Sequence, residues 1–155
     1  LYGIARFGYS FCDWTAGRHA HVARPRRRFG GQPMDKLRVL IVEDNGLIAD
    51  LLAELIEAFG HKVCAIESTE SGAIAAAGKL KPDLMIVDAY LEKGSGIVAV
   101  DTITRSGHIP HIFVTGDATV VRTLKPTATV LQKPYFELDL VLAIKSALEA
   151  NKSLV

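Results

Sequence analysis

A chain of 155 residues, 49% of them apolar, has material for one domain with a buried core, and no apolar run approaches the ~20 residues of a membrane-spanning helix. Its two cysteines, Cys12 and Cys64, lack paired or metal-type spacing, which argues against a disulfide framework and for a reducing, cytoplasmic setting. The net charge of +1 is split: residues 1–33 carry six Arg and one Asp (+5), whereas residues 34–155 carry twelve Lys/Arg and sixteen Asp/Glu (−4), so neither a nucleic acid nor a membrane is expected as partner of the main body.

Residues 1–33 show no hydrophobic period and are expected to be a disordered basic tail. Their Arg-rich, acid-poor character fits a transit peptide, although scattered Gly and Asp13 do not favour its amphipathic helix, and the Arg24 to Arg28 run could touch nucleic acid or anionic lipid. Met34-Asp35-Lys36 looks like a natural start just before the first strand, so the preferred reading is a non-native upstream extension, with residues 34–155 as the domain proper.

From Met34 on, strand and helix patterns alternate. Arg38 to Val42 is an apolar strand running into Glu43-Asp44. Leu47, Ile48, Leu51, Leu52, Leu55, Ile56 and Phe59 recur at helical spacing and predict one apolar face, with Asn45 as N-cap and Gly60 as stop. Lys62 to Ile66 is a second strand. Glu70 to Leu80 is a helix capped by Ser68 or Thr69 and halted before Pro82. Leu84-Met85-Ile86-Val87 is a strand buried on both faces, closed by Asp88. Gly96 to Arg105 is a helix, His111 to Thr115 a strand, and Thr129 to Lys133 a strand stopped by Pro134. The segment between those strands, Asp117 to Pro126, is short and rich in β-branched residues, so its helix is expected to be brief. Glu137 to Ala150 is the final helix, its face assigned to Leu138, Val141, Leu142 and Leu148. Such alternation predicts an α/β fold: a single flavodoxin-like, doubly wound domain with a five-stranded parallel sheet in the order 2-1-3-4-5.

That strand order gathers the chemistry. The carboxyl ends of neighbouring strands carry Glu43-Asp44, Asp88, Thr115-Gly116 and Lys133-Pro134. Three carboxylates alone would repel, and a hard divalent cation such as Mg2+, taking oxygen ligands, resolves this. Asp88 can then present an oxygen as nucleophile toward phosphorus, with Lys133 offsetting phosphoryl charge and Thr115 bonding a phosphoryl oxygen. Taken singly, Asp88 could be a surface charge, Lys133 a solvated loop residue, Glu43-Asp44 a helix cap and Thr115 a backbone-satisfying hydroxyl. The site reading rests on their joint placement. Asp117, two residues past Thr115, reads as an N-cap, with steering of water toward an aspartyl phosphate as the alternative, and the five His lack ligand spacing.

The set Glu43-Asp44, Asp88, Gly96, Thr115 and Lys133-Pro134 resembles the receiver domains of two-component response regulators, over about 120 residues from Lys36 to the C-terminus. The resemblance implies phosphorylation of Asp88 by a phosphohistidine of a sensor histidine kinase or phosphotransfer protein. It also implies Mg2+ held by Glu43 or Asp44, Asp88 and the backbone carbonyl of Tyr90. Pro110-His111-Ile112-Phe113-Val114-Thr115-Gly116 further resembles the Pro-Phe-x-Phe-Ala-Thr-Gly signature of the FATGUY receivers, departing at His111 and Val114. These are often stand-alone receivers paired with HWE-type or related kinases. Another departure concerns output: where many receivers carry a Tyr or Phe that swings inward, this chain has Val130, and ordering of the segment after Thr115 is expected to serve instead. The resulting expectation is a stand-alone phosphoacceptor switch, not a turnover enzyme, acting through an unidentified partner protein. Two alternatives are a haloacid-dehalogenase-like phosphatase, disfavoured because position 90 is Tyr and not a second Asp, and a degenerate receiver that binds partners without phosphorylation.

Overall fold

The computed structural model describes residues 35–152; the expectations for the basic tail, Met34 included, lie outside the described residues. Ten elements alternate without exception: β1 (Arg38–Val42), α1 (Gly46–Ala58), β2 (Lys62–Glu67), α2 (Glu70–Leu80), β3 (Leu84–Asp88), α3 (Gly96–Thr104), β4 (His111–Thr115), α4 (Ala118–Leu124), β5 (Thr129–Gln132) and α5 (Glu137–Lys152). The five strands are parallel and ordered β2-β1-β3-β4-β5, the predicted flavodoxin-like topology.

The unbroken apolar strands follow from burial of both sheet faces. Leu40, Val42, Met85, Val87 and Phe113 pack with α2, α3 and α4 through Ala73, Ala77, Ala99, Val100 and Val121. The alternate residues Val39, Ile41, Leu84, Ile86, Ile112, Val114 and Leu131 pack with α1 and α5 through Leu52, Ile56, Leu140 and Ile144. Cys64 is a free, half-buried thiol against the first of these layers.

Helix starts follow the capping chemistry. Asn45 accepts the Ile48 amide, Thr69 the Gly72 amide and Ser95 the Val98 amide, so Thr69 rather than Ser68 caps α2. Gly60 has φ +92°, which ends α1 at little steric cost.

Two predicted helix faces are corrected in part: Leu52, Leu55, Ile56 and Phe59 of the first and Leu148 of the last pack on the core as expected. In α1 the buried residues are Ala49, Leu52 and Ile56, while Leu47 is 72% exposed and Leu51 is also exposed. In α5 the core side is Leu140, Ala143, Ile144 and Ala147, while Leu138 and Leu142 are exposed. Both helices carry leucine beyond one stripe, and alanines share the buried side with Leu52, Ile56, Leu140 and Ile144.

Candidate functional site

Side chains alternate across a strand, and this sets the site. Glu43 continues the parity of Val39 and Ile41, Asp88 that of Leu84 and Ile86, and Lys133 that of Leu131, all on the α1/α5 side. Parallel pairing of β1 with β3, and of β3 with β4 and β4 with β5, brings their carboxyl ends to one edge. The Lys133 ammonium donates to Asp88 Oδ2 at 2.7 Å and to Glu43 Oε2 at 2.9 Å. Glu43, Asp44 and Asp88 each offer a carboxylate oxygen, and these atoms lie within 4.8 Å of one another. Among the described residues this is the one group of three or more acidic, His or Cys side chains so arranged. Oxygen donors of this kind suit a hard divalent cation.

Glu43 is almost fully buried, so its charge needs compensation. Burial by itself pulls the Lys133 pKa down, but the hydrogen bonds and charges of Asp88 and Glu43 more than offset it. The net shift is upward, and Lys133 stays an ammonium. Burial likewise pushes the neighbouring Tyr135 phenol up, so it stays neutral.

Each acid also organises the surrounding backbone. Glu43 Oε1 accepts the Asn45 amide, Asp88 Oδ1 the Tyr90 amide at 3.0 Å, and Asp44 Oδ2 the Glu92 amide at 2.6 Å. The Tyr90 ring is half-exposed. At Gly96 a Cβ would run into the Asp88 carbonyl oxygen, so only glycine lets α3 start this close to the end of β3.

Thr115 sits on β4 beyond Val114, the register partner of Asp88, and is fully buried. It shares the parity of Phe113, on the α2–α4 side, and its hydroxyl accepts the Asp117 amide at 3.1 Å in a local turn. Carboxylates and ammonium thus meet directly, while the threonine hydroxyl is engaged by the following loop. Asp117 is the N-cap of the seven-residue α4, accepting the Thr119 and Val120 amides.

Two contributors escaped the sequence reading. Gln132 accepts the Ala118 amide at 3.0 Å and donates to the Gly116 carbonyl at 2.6 Å, tying the loop after Thr115 to β5. Glu70 bonds the loop after Asp88 from the start of α2. Neither carries a pattern of its own; only the strand order puts them beside those loops.

The profile of the response regulator receiver domain matches residues 39–145. The chain belongs to the response regulator receiver family. The phyllosphere-induced regulator PhyR of Methylorubrum extorquens is 38% identical over 79 residues, 50% of this chain and 30% of that protein. Among solved structures, the response regulator PhyR from Brucella abortus superposes with a TM-score of 0.70 at 30% identity, covering 76% of this chain and 50% of that one. The receiver domain of Erythrobacter litoralis PhyR gives 0.65 at 34% identity, covering 74% and 91%. This receiver thus spans between about a third and a half of the full-length PhyR chains it matches and nearly all of the isolated PhyR receiver domain.

Proposed function

We propose that this receiver is a phosphoacceptor switch that takes a phosphoryl group onto Asp88 from a phosphohistidine of a sensor kinase or phosphotransfer protein. The observation that carries the reading is Lys133 bonded to both Asp88 and Glu43 beside Asp44. In the proposed step an Asp88 carboxylate oxygen attacks phosphorus, the P–N bond to the donor imidazole breaks, and the departing nitrogen takes a proton from solvent. The product is an acyl phosphate, which water later hydrolyses to restore the carboxylate. Lys133 neutralises charge on the transferred group, and Thr115 bonds a phosphoryl oxygen through its hydroxyl hydrogen, which its bond to the Asp117 amide leaves free. Glu43, Asp44, Asp88 and the Tyr90 carbonyl would hold Mg2+, which when bound supplies further charge neutralisation at the phosphoryl oxygens. Output passes to a protein partner, for which α4 and α5 present exposed Val120, Leu124, Leu138 and Leu142. A kinase of the HWE type is the proposed donor class, on the resemblance of Pro110 to Gly116 to the FATGUY signature.

Incubation with acetyl phosphate and Mg2+, followed by intact-mass measurement, tests this. The expected result is one phosphate adduct, absent in Asp88→Asn and hydrolysed over time. Absence of any adduct would favour a degenerate receiver, and sustained turnover of phosphoesters would favour a phosphatase.

A further inference from the structure

The loop between β3 and α3, residues 89–95, carries the Tyr90 carbonyl, and it is pinned from outside the acidic cluster. The Glu70 amide donates to the Lys93 carbonyl at 3.2 Å, and the Ser95 amide donates to Glu70 Oε2 at 2.8 Å. Between these bonds lies Gly94, with φ +99°. A Cβ there would sit 2.5 Å from Glu70 Cβ, so the Glu70 stem rests on the loop backbone itself. Ser95 in turn pairs with Tyr90 through an isolated antiparallel bridge, while its hydroxyl caps α3. Tyr90 is therefore fixed at both sides, by the Asp88 carboxylate at its amide and by the Ser95 bridge.

We infer that Glu70 is a positioning residue for the divalent-cation site, acting through Ser95 on the Tyr90 carbonyl; the inference rests on the reading of that site proposed above. Glu70 is not one of the three clustered carboxylates, so its effect reaches the cation through the loop. A seven-residue loop held in place before the cation arrives loses less conformational freedom on binding. Partners of this outer kind are worth roughly 10- to 100-fold in metal affinity where they act on a ligand directly. With Asp44 still holding the Glu92 amide, the expected loss here is at the low end, roughly tenfold.

Two variants separate reach from charge. Glu70→Asp keeps the negative charge at the α2 start but is one methylene too short for the Ser95 amide. Glu70→Gln keeps the reach and an acceptor oxygen but loses the charge. Mg2+ titration of the full chain, followed by amide chemical shifts, is run beside thermal melting and amide exchange of residues 89–95. The expected result is Mg2+ binding weakened roughly tenfold in Glu70→Asp with faster loop exchange, and within about twofold of wild type in Glu70→Gln. Equal affinity in wild type and Glu70→Asp overturns the inference, whatever the melting temperatures. So does weakening in Glu70→Gln alone, which would assign the effect to charge. Wild-type protein that fails to bind Mg2+ overturns the site reading and this inference together.

Discussion

Lys133 is held by two carboxylates, so a cation entering the proposed site is expected to compete with it for them. Its raised pKa keeps it charged up to and beyond 10.5, so the ion pairs are lost only as pH climbs through that raised value. Replacing it by Met leaves Glu43 and Asp88 facing each other without compensation. The expected cost is ~1–3 kcal/mol without divalent cation. Millimolar Mg2+ should recover part of this, and affinity for Mg2+ should rise about 3- to 10-fold because a positive charge has left the site. Thermal melts of Lys133→Met with and without Mg2+ check both; an unchanged Mg2+ response would mean that Lys133 does not compete. At this scale the juxtaposition of Glu43, Asp44, Asp88 and Lys133 was legible because each stands at or just past the carboxyl end of a parallel strand, and a carboxylate at such a place must find a cation. The direction of Thr115 follows from strand parity, but only once the two core layers are known. Gln132 and Glu70 were illegible, because their partners lie 14 to 25 residues away and no periodicity marks them.

Strands were read more sharply than helix faces. β1, β3 and β4 begin and end at the predicted residues, since a strand buried on both sides must be apolar throughout and stops where a charge or turn appears. β2 runs one residue further than expected and β5 stops one short, leaving Lys133 just past it, although its amide still bonds the Thr115 carbonyl at 2.7 Å. In α1 and α5 the bulk of Leu47, Leu51, Leu138 and Leu142 outweighed the alanines that mark the true contact side. The brevity of α4 was legible from its β-branched residues, and seven residues make a marginal helix. Amide exchange across residues 116–128 is therefore expected to be fast at rest and slowed with Mg2+ and beryllofluoride, a phosphoryl mimic; identical protection in both states would remove ordering of this segment as the output. Gly96→Ala offers a second test at this scale. The added methyl meets backbone at the end of β3, so the start of α3 or the Asp88 peptide must shift, at an expected ~1–3 kcal/mol measured by urea unfolding, with weakened Mg2+ binding as a consequence. Stability and Mg2+ binding both matching wild type would show that α3 does not need this close approach.

The two ends of the sheet carry different titratable chemistry. The acid–lysine site occupies the carboxyl edge, while His61 precedes β2 and His111 opens β4 at the amino edge. Burial lowers the pKa of His61 below 6.5, and its Nδ1 accepts the Leu37 amide at 3.4 Å, so a proton there would displace that bond. Burial also lowers that of His111; the Ile109 carbonyl bonded to its Nδ1 and the charge of Asp101 pull upward, while His108 and Lys125 push the same way as burial. Both rings therefore bind protons less readily in the folded chain than in the unfolded one. Stability is complete above 6.5 and is lost as pH falls through the lowered folded values, because the unfolded state takes up more protons there. Each tenfold difference in proton affinity between the two states is worth ~1.4 kcal/mol. The double variant His61→Gln and His111→Phe keeps an acceptor for Leu37 and an aromatic ring against Phe113, which His111 meets edge-on at 5.3 Å. Urea midpoints of wild type are expected to drop between about pH 7.5 and about pH 5, and those of the variant to drop less over that interval. Parallel curves for the two proteins would shift the acid sensitivity to the carboxylates. The Mg2+ response at neutral pH should be the same in both, because the substitutions lie at the opposite edge of the sheet from Asp88.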